Sequence, residues 1–134
     1  MDFGLSGKVA LVAASSAGIG RAVAHALAGE GVDLVICART EATLDQVRLE
    51  LEKGGSRVLA VPTDLTDPEG VTKVLGAAQE TFGRVDVLVT NTGGPPAGPF
   101  EAHSPEVWDR AVRQNLFSVL NLVRGVLLFI CERG

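Results

Sequence analysis

A doubly wound α/β fold on a parallel sheet is the class this sequence predicts. Four short apolar runs recur along the chain, and longer stretches with helical spacing separate them. Within each run apolar side chains occupy consecutive rather than alternate positions. Strands apolar on both faces need cover on both faces, which a parallel sheet between helical layers provides. Right-handed crossovers then wind the chain outward from its first strand and predict the strand order 3-2-1-4.

The elements follow in order. "KVALVAA" (8–14) reads as a buried strand, and a helix follows from about Gly18 to Gly29. "VDLVICA" (32–38) is the second strand. The next segment places Leu44, Val47 and Leu51 at helical spacing, with Thr40 as N-cap and Gly54 as stop. "RVLAVPT" (57–63) is the third strand, after which "TDPEG" caps a helix through Val71, Val74, Leu75 and Ala78. "VDVLVTN" (85–91) is the fourth strand, followed by a Gly- and Pro-rich loop, "TGGPPAGPFEAHS". Ser104-Pro105, a cap with proline at the first helical position, opens a last helix that runs with little interruption to Cys131.

A chain of 134 residues with no linker, repeat or low-complexity segment is read as one domain. Hydrophobic residues make up 46% and charged residues 21%, a balance that favours a globular chain over a disordered one. The net charge of −4 and the scattered Lys and Arg give no electrostatic reason to expect a nucleic-acid partner. The opening residues have no basic n-region or long apolar segment, so no signal peptide is expected. The most apolar stretch, 116–130, is interrupted by Asn121 and Arg124 and is too short to span a bilayer, so no membrane association is expected. Cys37 and Cys131 match no metal spacing and read as reduced thiols of a cytoplasmic protein. His25 and His103 show no partner pattern and read as surface or packing residues, and no metal site is expected.

The chemistry-bearing segment is "AASSAGIG" (13–20), between the first strand and the first helix. That context turns a glycine pattern into a phosphate-binding hypothesis. Gly18 and Gly20 allow close backbone approach, Ser15 and Ser16 offer hydroxyls, and the helix start at Gly18, Ile19 and Gly20 offers free N–H groups. Ala14 stands where such loops usually carry their first glycine. A positive φ there costs alanine on the order of 1 kcal/mol. Small residues fill the whole loop, so a relaxed turn is the expectation.

Several further segments carry a resemblance. "TNTGG" (90–94) follows the fourth strand, "PTDLTDPEG" follows the third, and "FEAHSPEVWDRAVRQNLFSVLNL" (100–122) forms the last helix. Together with the loop at 13–20 they resemble the short-chain dehydrogenase/reductase family, most nearly its 3-oxoacyl-acyl-carrier-protein reductase-like branch. The resemblance runs along the whole chain, against roughly the first half of such an enzyme. It implies a Rossmann-type NAD(P)-binding domain over 1–134. It places Ala14, Ser15, Ser16, Gly18, Ile19, Gly20, Asp64, Leu65, Asn91 and Gly93 at the cofactor, and Asn115 at the catalytic asparagine. The family's loop is usually Thr-Gly-x-x-x-Gly-x-Gly, and Ala13 and Ala14 depart from it; Thr90 and Thr92 depart from its Asn-Asn-Ala-Gly. Read as residues alone, Asp64 suits a turn or cap equally well, Asn91 suits a brace at the strand-to-loop bend, and Asn115 suits an ordinary mid-helix amide.

The second strand ends "CART". An acidic side chain there would grip a ribose 2′-hydroxyl, whereas an arginine suits a 2′-phosphate. Ala38 occupies the acidic position and Arg39 follows, so NADP is expected over NAD, with NAD still possible. Family chemistry also needs a tyrosine, a lysine four residues later and an upstream serine, and this chain has no tyrosine. The resemblance therefore implies an oxidoreductase acting on a small-molecule carbonyl or alcohol in a longer enzyme. The sheet is expected to be cut off after the fourth strand and the long helix, leaving this chain inactive alone. A non-catalytic dinucleotide-binding or assembly module is the alternative. The apolar 105–132 helix is expected to drive homo-oligomer formation.

Overall fold

A computed structural model of the chain describes residues 1–133, with side chains through Phe129. The Cys131 thiol, named above, lies outside the described residues, as does Gly134. The strands are β1 (Val9–Val12), β2 (Asp33–Ala38), β3 (Val58–Pro62) and β4 (Val87–Val89). Between them run α1 (Gly18–Gly29), α2 (Glu41–Lys53) and α3 (Pro68–Phe82). After β4 come a short 3₁₀ turn at Phe100–Ala102, then α4 (Pro105–Val112), a π-turn (Arg113–Phe117) and α5 (Ser118–Arg133).

The sheet is parallel, in the order β3-β2-β1-β4. Consecutive strand residues point to opposite faces. Leu11, Val35 and Cys37 pack on one face with Val71 and Val74 of α3 and Leu122 and Val126 of α5. Val12, Leu34 and Ile36 pack on the other with Ala24 of α1 and Leu44, Val47 and Leu51 of α2. Every residue of β1 is buried, which is why its sequence reads as a continuous apolar run. The strands are shorter than their apolar runs, because Ala13, Thr63 and Asn91 already belong to the bends at the strand ends.

Two caps form as the sequence suggests. Asp67 accepts the Glu69 N–H at 3.0 Å ahead of α3, and Ser104 accepts the Val107 N–H at 3.3 Å ahead of α4. Thr40 sits at the α2 N-cap but makes no side-chain cap bond. The last helix departs from expectation: its backbone stays helical, but the π-turn at 113–117 interrupts the regular ladder. Within 116–129 exposure is mixed. Leu122 and Val126 are buried, while Leu116, Phe117, Leu120, Val123, Leu127 and Leu128 are exposed.

Strand order reverses between β1 and β4. The connections through α1 and α2 carry the chain one way, and that through α3 carries it back. A crevice at the carboxyl ends of the strands follows from this reversal.

Candidate functional site

That crevice is a cleft of about 430 Å³. Each strand end contributes to it: Ala14 and Ser16 after β1, Arg39 and Thr40 after β2, Thr63 to Thr66 after β3, and Asn91 to Gly93 after β4. Gln114 and Ser118 reach it from the π-turn and the start of α5.

At one side lies the start of α1. Its N-cap residue is Ala17, which has no side-chain acceptor to offer, so no cap bond forms. The first N–H groups of α1 therefore remain available at the cleft wall, where Gly18 and Ile19 line it. Gly18 has φ +55°, a conformation that costs glycine little. Gly20 is needed for contact: a Cβ there would collide with the Ala14 carbonyl and lie 2.9 Å from Asn91 Nδ2.

Ala14 overturns the expectation of a relaxed turn. Its φ is +49°, in the left-handed region that favours glycine. The methyl group costs on the order of 1 kcal/mol there. The loop keeps this shape because its neighbours hold it: Asn91 Nδ2 donates to the Ala14 carbonyl at 3.3 Å. Asn91 is thus a brace at the bend and a cleft residue at once.

Ser15 is not brought to the cleft with Ser16. It is fully buried, its hydroxyl donates to the Val12 carbonyl at 2.9 Å, and it accepts the Cys37 N–H at 3.1 Å. These bonds tie the loop to β2 and leave the hydroxyl no ligand-facing role. Burial of a loop serine between two strands has no local sequence signal.

Arg39 also lines the cleft and is exposed. Arg21, Arg48, Arg57, Arg84 and Arg113 are each tied to a carboxylate. Among the described residues Arg39 has no such ion pair. Thr40 beside it keeps its hydroxyl out of helix capping. Asp64 serves the turn that the sequence allowed: its carboxylate accepts the Thr66 hydroxyl at 2.7 Å and the Thr66 N–H at 2.9 Å. The Thr66 bonds, helped by the positive charge of Arg39, hold the Asp64 carboxyl below its ordinary range. Asp64 and Leu65 both line the cleft.

Asn115 lies in the π-turn and is exposed. Its Oδ1 accepts the Thr92 hydroxyl at 2.5 Å, and its Nδ2 donates to the Ala111 carbonyl at 2.9 Å. Thr92 therefore links the loop after β4 to the irregular turn. Cys37, Thr40, Thr63, Thr66, Thr92, Gln114 and Ser118 are cleft residues that sequence reasoning missed. Thr40, Thr63, Thr66 and Thr92 follow strand ends closely, the one signal that could have found them, whereas Cys37 lies within β2 and Gln114 and Ser118 come from the last helical segment. The two histidines are accounted for elsewhere: His25 Nε2 lies 3.2 Å from Glu50, and His103 packs edge-on to Trp108. Among the described residues no cluster could hold a metal ion.

Comparison with known proteins gives a consistent result. The family model described as short chain dehydrogenase matches residues 8–134. Versicolorin reductase from Emericella nidulans is 35% identical over 134 residues, covering 99% of this chain and 51% of that protein. A ketoacyl reductase of the granaticin polyketide synthase of Streptomyces violaceoruber is 36% identical over 119 residues, covering 89% of this chain and 44% of that one. The crystal structure of L-sorbose reductase from Gluconobacter frateurii, complexed with NADPH and L-sorbose, superposes with a TM-score of 0.95 at 37% identity. It is matched by 100% of this chain and over 51% of its own. The chain thus spans about half the length of these relatives.

Proposed function

The chain belongs to the short-chain dehydrogenase family, and we propose that it forms the NADP(H)-holding half-site of an oxidoreductase acting on a carbonyl or alcohol. The observation that carries this reading is the presence of two unsatisfied positive features in one cleft. The uncapped start of α1 and Arg39, which has no carboxylate partner among the described residues, both line it. Such a cleft suits a dinucleotide whose pyrophosphate rests on the helix start and whose 2′-phosphate meets the guanidinium. The NADPH held by L-sorbose reductase supports the cofactor class.

In this reading the amides of Gly18, Ile19 and Gly20 and the Ser16 hydroxyl hold the pyrophosphate. Arg39 and Thr40 hold the 2′-phosphate. Asp64 and Leu65 flank the adenine, Asn91 and Gly93 border the nicotinamide end, and Asn115 orders the catalytic side. When bound, the nicotinamide supplies or accepts the hydride. A proton donor at the substrate oxygen is still needed, and the 134 residues include no tyrosine to act as one. The chain alone is therefore proposed to bind cofactor without reducing substrate. Within the family we favour a 3-oxoacyl reductase-like placement, supported by the granaticin relative named for ketoacyl reduction. The exposed apolar residues along α4 and α5 support a second reading, a non-catalytic dinucleotide-binding or assembly module. Cofactor oxidation by the full gene product with 3-oxoacyl substrates separates the two.

Two further elements of the reading concern setting and assembly. A cytoplasmic location accords with the free thiol of Cys37, and among the described residues no helix is long and apolar enough to cross a membrane. A homo-oligomer formed through the 105–132 helix accords with its exposed apolar residues.

Titration with NADPH and NADH tests the cofactor assignment. NADPH should bind more tightly, and Arg39→Ala should remove most of the difference. A charge-assisted bond to a phosphate contributes roughly 1.5–3 kcal/mol, about 10- to 150-fold. Equal affinity of the parent chain for both cofactors would contradict the assignment.

A further inference from the structure

We propose that Asn91 is the positioning residue that keeps the Ala14 turn in its left-handed conformation, and that dinucleotide affinity depends on this restraint. The inference rests on the dinucleotide-binding reading above. An alanine at φ +49° keeps that conformation only where its surroundings oppose relaxation. The flanking residues are pinned first. The Ala13 N–H donates to the Val89 carbonyl at 3.0 Å, and the Ser15 N–H donates to the Cys37 carbonyl at 3.1 Å. Neither bond holds the carbonyl of Ala14 itself.

Among the described residues, Asn91 is the side chain that does so, through Nδ2 at 3.3 Å. The same carbonyl lies against Gly20, where a Cβ would strike it. The end of β4, the loop after β1 and the first turn of α1 therefore meet at one oxygen atom. If Ala14 relaxed to negative φ, its carbonyl would turn away from Asn91 and re-aim the peptide units that lead to Ser16 and Gly18. Ligand would then bind only the fraction of molecules with the loop in place, and the apparent Kd would rise in inverse proportion to that fraction. Glycine at position 14 has little preference to overcome. It should hold the loop shape without help from Asn91.

A four-chain comparison tests this: the parent, Asn91→Ala, Ala14→Gly and the double variant, each titrated with NADPH and melted in parallel. Asn91→Ala should weaken binding about tenfold, equivalent to about 1.4 kcal/mol. Ala14→Gly should bind NADPH at least as tightly as the parent, and the double variant should recover to within about threefold of Ala14→Gly. An equal loss in both backgrounds would show that Asn91 acts independently of Ala14, and no loss in either would show that it positions nothing. Both results overturn the proposal. If Asn91→Ala does not fold, recovery of folding in the double variant supports the restraint, and continued misfolding refutes it. A parent chain that binds no NADPH would sink the dinucleotide reading instead. The melting temperatures would then decide the restraint alone, with the drop caused by Asn91→Ala expected to shrink in the Ala14→Gly background.

Discussion

Cys37 and Arg39 stand two residues apart at the end of β2 and meet opposite environments. Arg39 lines the cleft and is exposed, while Cys37 is fully buried. Burial pushes the Cys37 thiol up to about 12, against a smaller opposing effect of a hydrogen bond from the Ala14 backbone. The thiolate is the reactive form of cysteine, so this thiol should be inert near neutrality. The sign follows from linkage: the neutral thiol's contribution to stability is complete below the ordinary thiol pKa of about 8.5 and is lost only as pH rises toward the folded value. Incubation with iodoacetamide at pH 8, followed by peptide mass mapping, should leave Cys37 unmodified until denaturant is added. Rapid labelling of Cys37 in the folded chain would contradict this burial. The place of Arg39 at the cleft was legible in the sequence because the residue directly follows a strand whose carboxyl end borders the crevice. Ser15 was not, because its burial depends on β2 passing close to a loop that lies 22 residues earlier.

Glycines separate two kinds of helix contact. Gly20 in the first turn of α1 faces the Ala14 carbonyl, so Gly20→Ala must displace backbone. Overpacking of this kind costs roughly 1–3 kcal/mol, and here it also disturbs the loop that borders the cleft. Gly76 within α3 has open space around it. There Gly76→Ala should stabilise the chain by about 0.5–1 kcal/mol, since alanine loses less backbone freedom on entering a helix. Thermal melts of the two variants should therefore move in opposite directions, and a stabilised Gly20→Ala would show that α1 does not press on the turn. The strands and first three helices were legible because apolar runs and caps such as Asp67 are local signals. The π-turn was not, since the sequence around Asn115 keeps an acceptable helical spacing through the extra residue. The Thr92 bond that accompanies the turn joins positions 23 apart and needs the folded sheet to appear.

The molecule as a whole leaves one side of its helical layer uncovered. Trp108, Val112, Leu116, Leu120, Val123 and Leu127 are all exposed along α4, the π-turn and α5. Their spacing of three or four residues places them near one face. Each large apolar side chain fully buried contributes roughly 1.5–3 kcal/mol, so several together can offset the entropy lost on association. Light scattering at micromolar concentration should report a dimer or larger species, and Leu116→Glu with Leu120→Glu should shift it toward monomer. A monomeric parent would argue against the helix as an assembly surface.

The π-turn also acts as a phase adjuster between two rods. Each residue of an α-helix advances the rotation by about 100°, and a π-turn accommodates an extra residue without breaking the helix. Removing one residue between Arg113 and Phe117 would straighten the ladder and rotate everything downstream by that step. Leu122 and Val126, which now face the sheet, would swing toward solvent, and different side chains would take their places. The irregular turn thus sets which letters of the α5 sequence are read by the core and which by the outside. Variation around Asn115 can therefore change a surface more than 10 Å further along the helix without altering a residue on it.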